Sequence, residues 1–138
     1  MTESVELITE MGQRARAAFS DLAGVSDAQK SAALAAAARH LRTNQEAILA
    51  ANRRDMESAR ERALSDAMLD RLMIDEERLD AIAAAVERVA ELPDPVGSIV
   101  DRTERPNGLV LERIRVPLGV IGIIYESRPN VTADAAAL

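Results

Sequence analysis

The stretch that decides the fold is Pro117-Leu118-Gly119-Val120-Ile121-Gly122-Ile123-Ile124-Tyr125-Glu126-Ser127-Arg128-Pro129-Asn130-Val131-Thr132-Ala133-Asp134-Ala135-Ala136-Ala137-Leu138. Residues 120–125 are a nearly continuous apolar run rich in β-branched side chains, the pattern of a strand buried on both faces of a parallel sheet. The polar loop 126–130 follows, and an alanine-rich helix begins after it. Strand, loop and helix make the opening half of a βαβ unit, which needs a crossover and further parallel strands to pair with. Those strands are expected outside these 138 residues, so the chain reads as the front part of a longer α/β protein. Ligands of such sheets bind beyond the carboxyl ends of the strands, which makes loop 126–130 the one place where chemistry is expected. It is not a dinucleotide fingerprint. Gly119 and Gly122 lie before or inside the strand, and no G-x-G-x-x-G separates strand from helix.

Working back from this stretch, the segment 96–117 reads as a charged two-stranded ribbon. Leu109, Leu111, Ile114 and Val116 alternate imperfectly, and Asn107-Gly108 is the dipeptide that best tolerates the positive φ angles of a tight hairpin turn. Its charges (Asp101, Arg102, Glu104, Arg105, Glu112, Arg113, Arg115) are mixed in sign, which suits cross-strand pairing better than anion binding. An isolated hairpin is marginal in water, so this one should pack on another part of the protein or on a partner subunit.

The region before the boundary Leu92-Pro93-Asp94-Pro95 has no proline and is rich in Ala, Glu, Arg and Leu, all good helix formers. A first helix is expected from Val5 to about Phe19. Ser26 and Gln29 have capping-box spacing and open a second, with Leu34, Ala37, Ala38 and Leu41 on one face. Thr43 and Glu46 repeat that spacing, predicting a restart into a helix with Ile48, Leu49 and Met56 inward. Ser65 opens a short segment carrying Met68, Leu69 and Leu72. Asp75 caps a last helix in which Leu79, Ile82, Val86 and Val89 recur at spacings of three and four. Pro93 ends it, because proline lacks an amide proton and disfavours helix in the residue before it.

Composition narrows the function classes. Lys and Arg total 17 against 23 acids, a formal charge of −6, and no basic cluster is visible, so a nucleic-acid partner is not expected. With no cysteine there is no disulfide framework, thiolate metal site or cysteine nucleophile within these residues. The single histidine, His40, sits in a helix with no companion to make a metal site, and a structural or solvent-facing role is expected for it. The start has acids where a signal peptide would be basic, and no stretch approaches a membrane span, so a cytoplasmic protein is expected. About a fifth of the chain is alanine and only Phe19 and Tyr125 are aromatic, which predicts a thin core. Met11, Met56, Met68 and Met73 are expected as core filler. Arg53-Arg54-Asp55 and Asp75-Glu76-Glu77-Arg78 read as solvated helix faces.

The segment RVPLGVIGIIYESRPNVTADAAAL resembles the one that opens the cofactor domain of the γ-glutamyl phosphate reductases (glutamate-5-semialdehyde dehydrogenases), members of the aldehyde dehydrogenase superfamily. IYESRPNVTADAA is long and specific. The order upstream agrees: alanine-rich helices, LPDPVG, a hairpin with PNGL, then the strand. The resemblance covers the whole chain but only about a third of such an enzyme. It implies residues 1–95 as the N-terminal helical part of a Rossmann-like cofactor domain, 96–117 as a hairpin serving as oligomerisation ribbon, and 118–138 as the start of the NADP-binding βαβ region, with the catalytic domain outside this chain.

The implied activity is the NADPH-dependent reduction of L-glutamate 5-phosphate to the semialdehyde with release of phosphate, in L-proline biosynthesis, with glutamate 5-kinase as a functional neighbour. In that family a cysteine thiolate attacks the acyl phosphate and hydride reduces the resulting thioester, which splits one hard reduction into two easier steps. That cysteine is absent here, so the 138 residues alone are expected to be inactive.

Resemblance also suggests roles in the loop. Asn130 is the candidate donor to the tetrahedral oxyanion, or it caps the following helix, and both can hold. Arg128 could hold the substrate phosphate or α-carboxylate with its planar fork, or pair with Glu126 or a downstream acid. Ser127 could donate to phosphate or only shape the turn. Ile124, Tyr125 and Glu126 stand where superfamily members run main chain along the cofactor, with a core aromatic as the alternative for Tyr125. Two rival functions remain open: another aldehyde dehydrogenase relative, which the ESRPN loop argues against, and a self-sufficient helical interaction module, in which the last strand would be unpaired.

Overall fold

The computed structural model describes residues 2–138, with side chains from residue 3 onward. Its elements, in chain order, are α1 (Thr2–Leu22), α2 (Asp27–Thr43), α3 (Gln45–Glu61), α4 (Asp66–Leu72), α5 (Glu76–Ala90), β1 (Ile99–Glu104), β2 (Val110–Ile114) and α6 (Val131–Ala137). They divide into two compact units. One holds α1 and the hairpin (Met1–Asp27 with Pro93–Gly122), the other α2 to α5 and α6 (Ala28–Leu92 with Ile123–Leu138). Among the described residues, no helix is long and apolar enough to cross a membrane.

The helical unit is held together by small side chains. Ala38 of α2 and Ala83 and Val86 of α5 form the buried cluster, with Leu34, Leu41, Ala133 and Ala137 packed on it. The alanines of α6 carry no side chain beyond Cβ, so that short helix can lie close against α5. The core is as thin as the composition predicts: Leu79 is the largest fully buried side chain among the described residues. Of the four methionines expected inside, Met56 is buried and Met73 half-buried, but Met11 and Met68 are exposed. Helical periodicity locates a stripe; it does not say whether an element exists to cover it.

Two polar devices fix the helices relative to one another. Arg42 on α2 reaches α5, donating from Nε to Asp80 at 2.7 Å and from both Nη atoms to the carboxylate of Glu87. The pairing holds the Glu87 carboxyl below the usual carboxylate range and raises the Arg42 guanidinium further above its already high value. The second device is Asn52, buried on α3 at 5% exposure. Its Nδ2 donates to the Leu72 carbonyl at 2.8 Å and its Oδ1 accepts from the Ile74 amide at 2.7 Å. One carboxamide thus replaces the missing helical partners on both sides of the α4–α5 connector.

Helix ends follow local chemistry, with some shifts from expectation. Asp75 caps α5 through the Arg78 amide at 2.8 Å, as its spacing predicts. Arg78 is more than a solvated charge: Nη2 pairs with Asp70 at 2.6 Å and Nη1 donates to the Asp70 and Met73 carbonyls. At the α2–α3 junction the restart falls on Asn44, whose Nδ2 donates back to the His40 carbonyl at 2.8 Å, closing α2 instead of opening α3. Past α3, the Leu64 amide bonds the Ala59 carbonyl and the Ala63 amide the Arg60 carbonyl, a Schellman pair with Ala63 at φ +55° where glycine is usual.

The ribbon forms where the sequence puts it. β1 and β2 pair antiparallel, Arg102 opposite Glu112 (3.2 Å) and Asp101 opposite Arg113, with an irregularity between Ile99 and Asp101. The turn needs only one positive φ. The Gly108 amide bonds the Arg105 carbonyl at 2.8 Å, Gly108 has φ +83°, and the Asn107 side chain accepts from the Leu109 amide, so Asn107 stays on the ordinary side of the map.

Residues 117–125 are not a regular strand. They are exposed along their length, and the β1–β2 hairpin is the one sheet among the described residues. A parallel strand takes its whole ladder from neighbours, and none is among these residues to supply it. The observed architecture is helices plus a two-stranded antiparallel ribbon.

Candidate functional site

Loop 126–130 joins the extended run to α6 and is shaped by its own backbone. Ser127 adopts φ +52°, a left-handed conformation that costs a non-glycine residue on the order of 1 kcal/mol. The Arg128 carbonyl then accepts from the Val131 amide at 3.1 Å, and the Asn130 carbonyl from the Ala133 and Asp134 amides at 3.0 Å, starting the helix.

The sequence-derived candidates are distributed as follows. Tyr125 is not a core aromatic: it is 44% exposed, and its hydroxyl lies 2.6 Å from Thr132 Oγ1, tying the run to the first turn of α6. Ile124 is fully exposed and Glu126 is exposed. Arg128 is exposed and makes no ion pair among the described residues, so the pairing with Glu126 is not formed. Ser127 is half-buried.

Asn130 occupies the cap position of α6, but its side chain makes no capping bond, and its backbone is already helical at φ −63°, ψ −30°. A side-chain cap needs an extended backbone at that residue to swing its oxygen over the following amides. The carboxamide instead donates from Nδ2 to Asp134 Oδ2 at 2.8 Å. That fixes its orientation and occupies one of its two N–H bonds.

Pro129 and Asn130 also line a cleft of about 220 Å³ shared with the end of α4 and with α5, where Arg71 and Arg78 are its other polar residues. A second groove, about 400 Å³ and largely apolar, runs between α2, α3 and α6 with His40 and Asn44 on its edge. His40 itself is exposed, and no group of metal-ligating side chains occurs among the described residues.

Sequence reading missed Arg71 and Asn52. Arg71 gives no local signal, because any helix end carries such a residue. Asn52 does give one, as a polar residue between Ile48 and Met56 at spacings of four on the inward face of α3.

No family model matches the chain. Among curated proteins it is 59% identical over 136 residues to the γ-glutamyl phosphate reductase of Rhizorhabdus wittichii, covering 99% of this chain and 32% of that protein. It is 55% identical over 138 residues to that of Moorella thermoacetica, covering 100% and 33%. Among solved structures, the γ-glutamyl phosphate reductase of Thermotoga maritima superposes with a TM-score of 0.89 at 42% identity, over 94% of this chain and 31% of that one. The Saccharomyces cerevisiae enzyme of the same name gives 0.87 at 34%, over 93% and 33%. The chain spans about a third of the length of the relatives it matches. By sequence and by fold alike, it corresponds to the N-terminal third of the γ-glutamyl phosphate reductases.

Proposed function

We propose that this chain is the N-terminal, cofactor-side part of an enzyme that reduces L-glutamate 5-phosphate to L-glutamate 5-semialdehyde with NADPH, releasing phosphate, in cytoplasmic L-proline biosynthesis. The observation that carries this reading is the match along the chain to proteins of that name. The thiolate nucleophile belongs to a part of the enzyme outside these residues. Within them, Asn130 donates an amide N–H to the oxyanion, and the Asp134 contact holds that amide in place. Arg128 and Ser127 engage the phosphate or carboxylate of the substrate.

The main chain of residues 124–126 makes no hydrogen bond within the described residues, which leaves its amides and carbonyls for the nicotinamide dinucleotide. Bound there, the dinucleotide supplies hydride. Residues 118–138 then open a Rossmann-like sheet completed by the rest of the enzyme, and the 96–117 ribbon, whose apolar residues Leu109, Leu111 and Ile114 are exposed, joins subunits of a homo-oligomer. Coupling to glutamate 5-kinase follows from the lability of an acyl phosphate.

The test is phosphate-dependent reduction of NADP⁺ by semialdehyde in the natural full-length protein, with wild type compared with Asn130→Ala. Loss of about 10²–10³-fold in kcat, with an unchanged melting curve, is expected for a missing oxyanion donor. Absence of phosphate-dependent turnover in the wild type refutes the assignment, and full turnover in Asn130→Ala refutes the role of that residue.

A further inference from the structure

We propose that the cleft between the end of α4 and the start of α6 is a subsite for a phosphate group, with Arg71 as its principal ligand. The proposal rests on reading the adjoining loop as part of a phosphate-handling site, and it names a residue far from that loop in sequence.

Three observations carry it. First, the cleft holds about 220 Å³, and its charged lining is entirely cationic, Arg71 and Arg78 with no acid, in a chain of net charge −6. Second, the acids near its polar residues are already engaged. Asp70 is held by Arg78 at 2.6 Å, Asp75 accepts from the Arg78 amide at 2.8 Å and Asp134 accepts from Asn130 at 2.8 Å, while Glu77 also acts on Arg78 and does not line the cleft. Arg78 is fixed further by its bonds to the Asp70 and Met73 carbonyls and has its charge offset by Asp70, so it braces the wall, whereas Arg71 is exposed, makes no ion pair among the described residues and keeps its charge for a ligand. Third, the backbone that carries Arg71 is held in place. The next residue, Leu72, gives its carbonyl to the buried Asn52, and so does Ile74 its amide.

The planar guanidinium fork of Arg71 matches the geometry of a phosphate, and the held backbone fixes the point from which it reaches into the cleft. Ile74, Ile82 and Pro129 give the cleft apolar walls, which weaken solvent screening of the charges. The phosphate could be the acyl phosphate of the substrate or the 2′-phosphate of the dinucleotide, and the two make different kinetic predictions.

The test uses the natural full-length protein with Arg71→Ala, Arg71→Lys and, as a control on the exposed face of α3, Arg54→Ala. Binding of inorganic phosphate is measured by calorimetry. Arg71→Ala should weaken it about tenfold or more, the loss of one charge-assisted contact, while Arg71→Lys loses less and Arg54→Ala is unchanged. In the reductase assay a rise in KM for the acyl phosphate alone identifies the substrate as the source. A rise in KM for NADPH, with NADH unaffected, identifies the dinucleotide. Phosphate affinity within twofold of wild type in Arg71→Ala, or no measurable phosphate binding to the wild type, overturns the subsite even if the reductase activity is present. Arg71-dependent phosphate binding in a protein without reductase activity supports the subsite and refutes the function.

Discussion

Removing the Asn52 carboxamide should loosen the whole α4–α5 connector. In Asn52→Ala the Leu72 carbonyl and the Ile74 amide lose their partners together, because both bonds come from one side chain. A buried group left unpaired costs about 1–3 kcal/mol, and two part-buried groups at about 1.5 kcal/mol each give an expected loss of about 3 kcal/mol. For a chain of 138 residues that corresponds to a fall in Tm of roughly 10 °C.

Asn52→Asp separates the two bonds. A carboxylate still accepts from the Ile74 amide but cannot donate to the Leu72 carbonyl, and it sets negative charge against that oxygen in a buried position. Its folded-state pKa is therefore raised above the unfolded value of about 3.9, and the stability contributed by the protonated form is present at low pH and lost as pH rises through the folded value. The deficit of Asn52→Asp relative to wild type should be larger at neutral pH than near pH 4, with Asn52→Ala showing no such trend. Urea unfolding followed by far-UV circular dichroism gives the energies, and hydrogen exchange at the Ile74 amide reports the connector directly. An Asn52→Ala loss below about 0.5 kcal/mol, or unchanged exchange at Ile74, refutes the reasoning.

Ala63→Gly should stabilise the protein by about 0.5–1 kcal/mol, because relief of the left-handed strain at φ +55° outweighs the greater unfolded-state entropy of glycine; a lower urea midpoint would refute this. Because Arg42 depresses the Glu87 carboxyl, that pair stabilises the fold above the unfolded carboxylate pKa and its contribution fades as pH falls through the lower folded value. Glu87→Gln should therefore flatten the acid limb of stability against pH, and an acid limb parallel to wild type would show that the pair contributes nothing.

Much of the helical unit is legible locally. The Asp75 cap, the stop before Pro93 and the stripes on α2 and α5 are written in neighbouring residues, and each forms. The ribbon is legible for the same reason, since an Asn-Gly turn and opposed charges act across a few residues. The strand at 120–125 is not formed among the described residues, because its pattern describes burial by partners distant in sequence. At the site, the loop residues were readable as a motif but their relations were not. Asn130 has the residue type of a cap, yet the helical φ and ψ of its backbone turn the side chain to Asp134.

The sequence alone determined the helix-and-ribbon order, the thin alanine core and the absence of a cysteine within these residues. Only the tertiary structure decided that Arg42 ties α2 to α5, that Asn52 clamps the α4–α5 connector and that Arg71 shares a cleft with Asn130. The physical reason is range. Caps, turns and periodicity act over three or four residues, whereas the last three depend on residues twenty to sixty positions apart being brought together by burial of a common core, a distance across which single-sequence patterns carry no register.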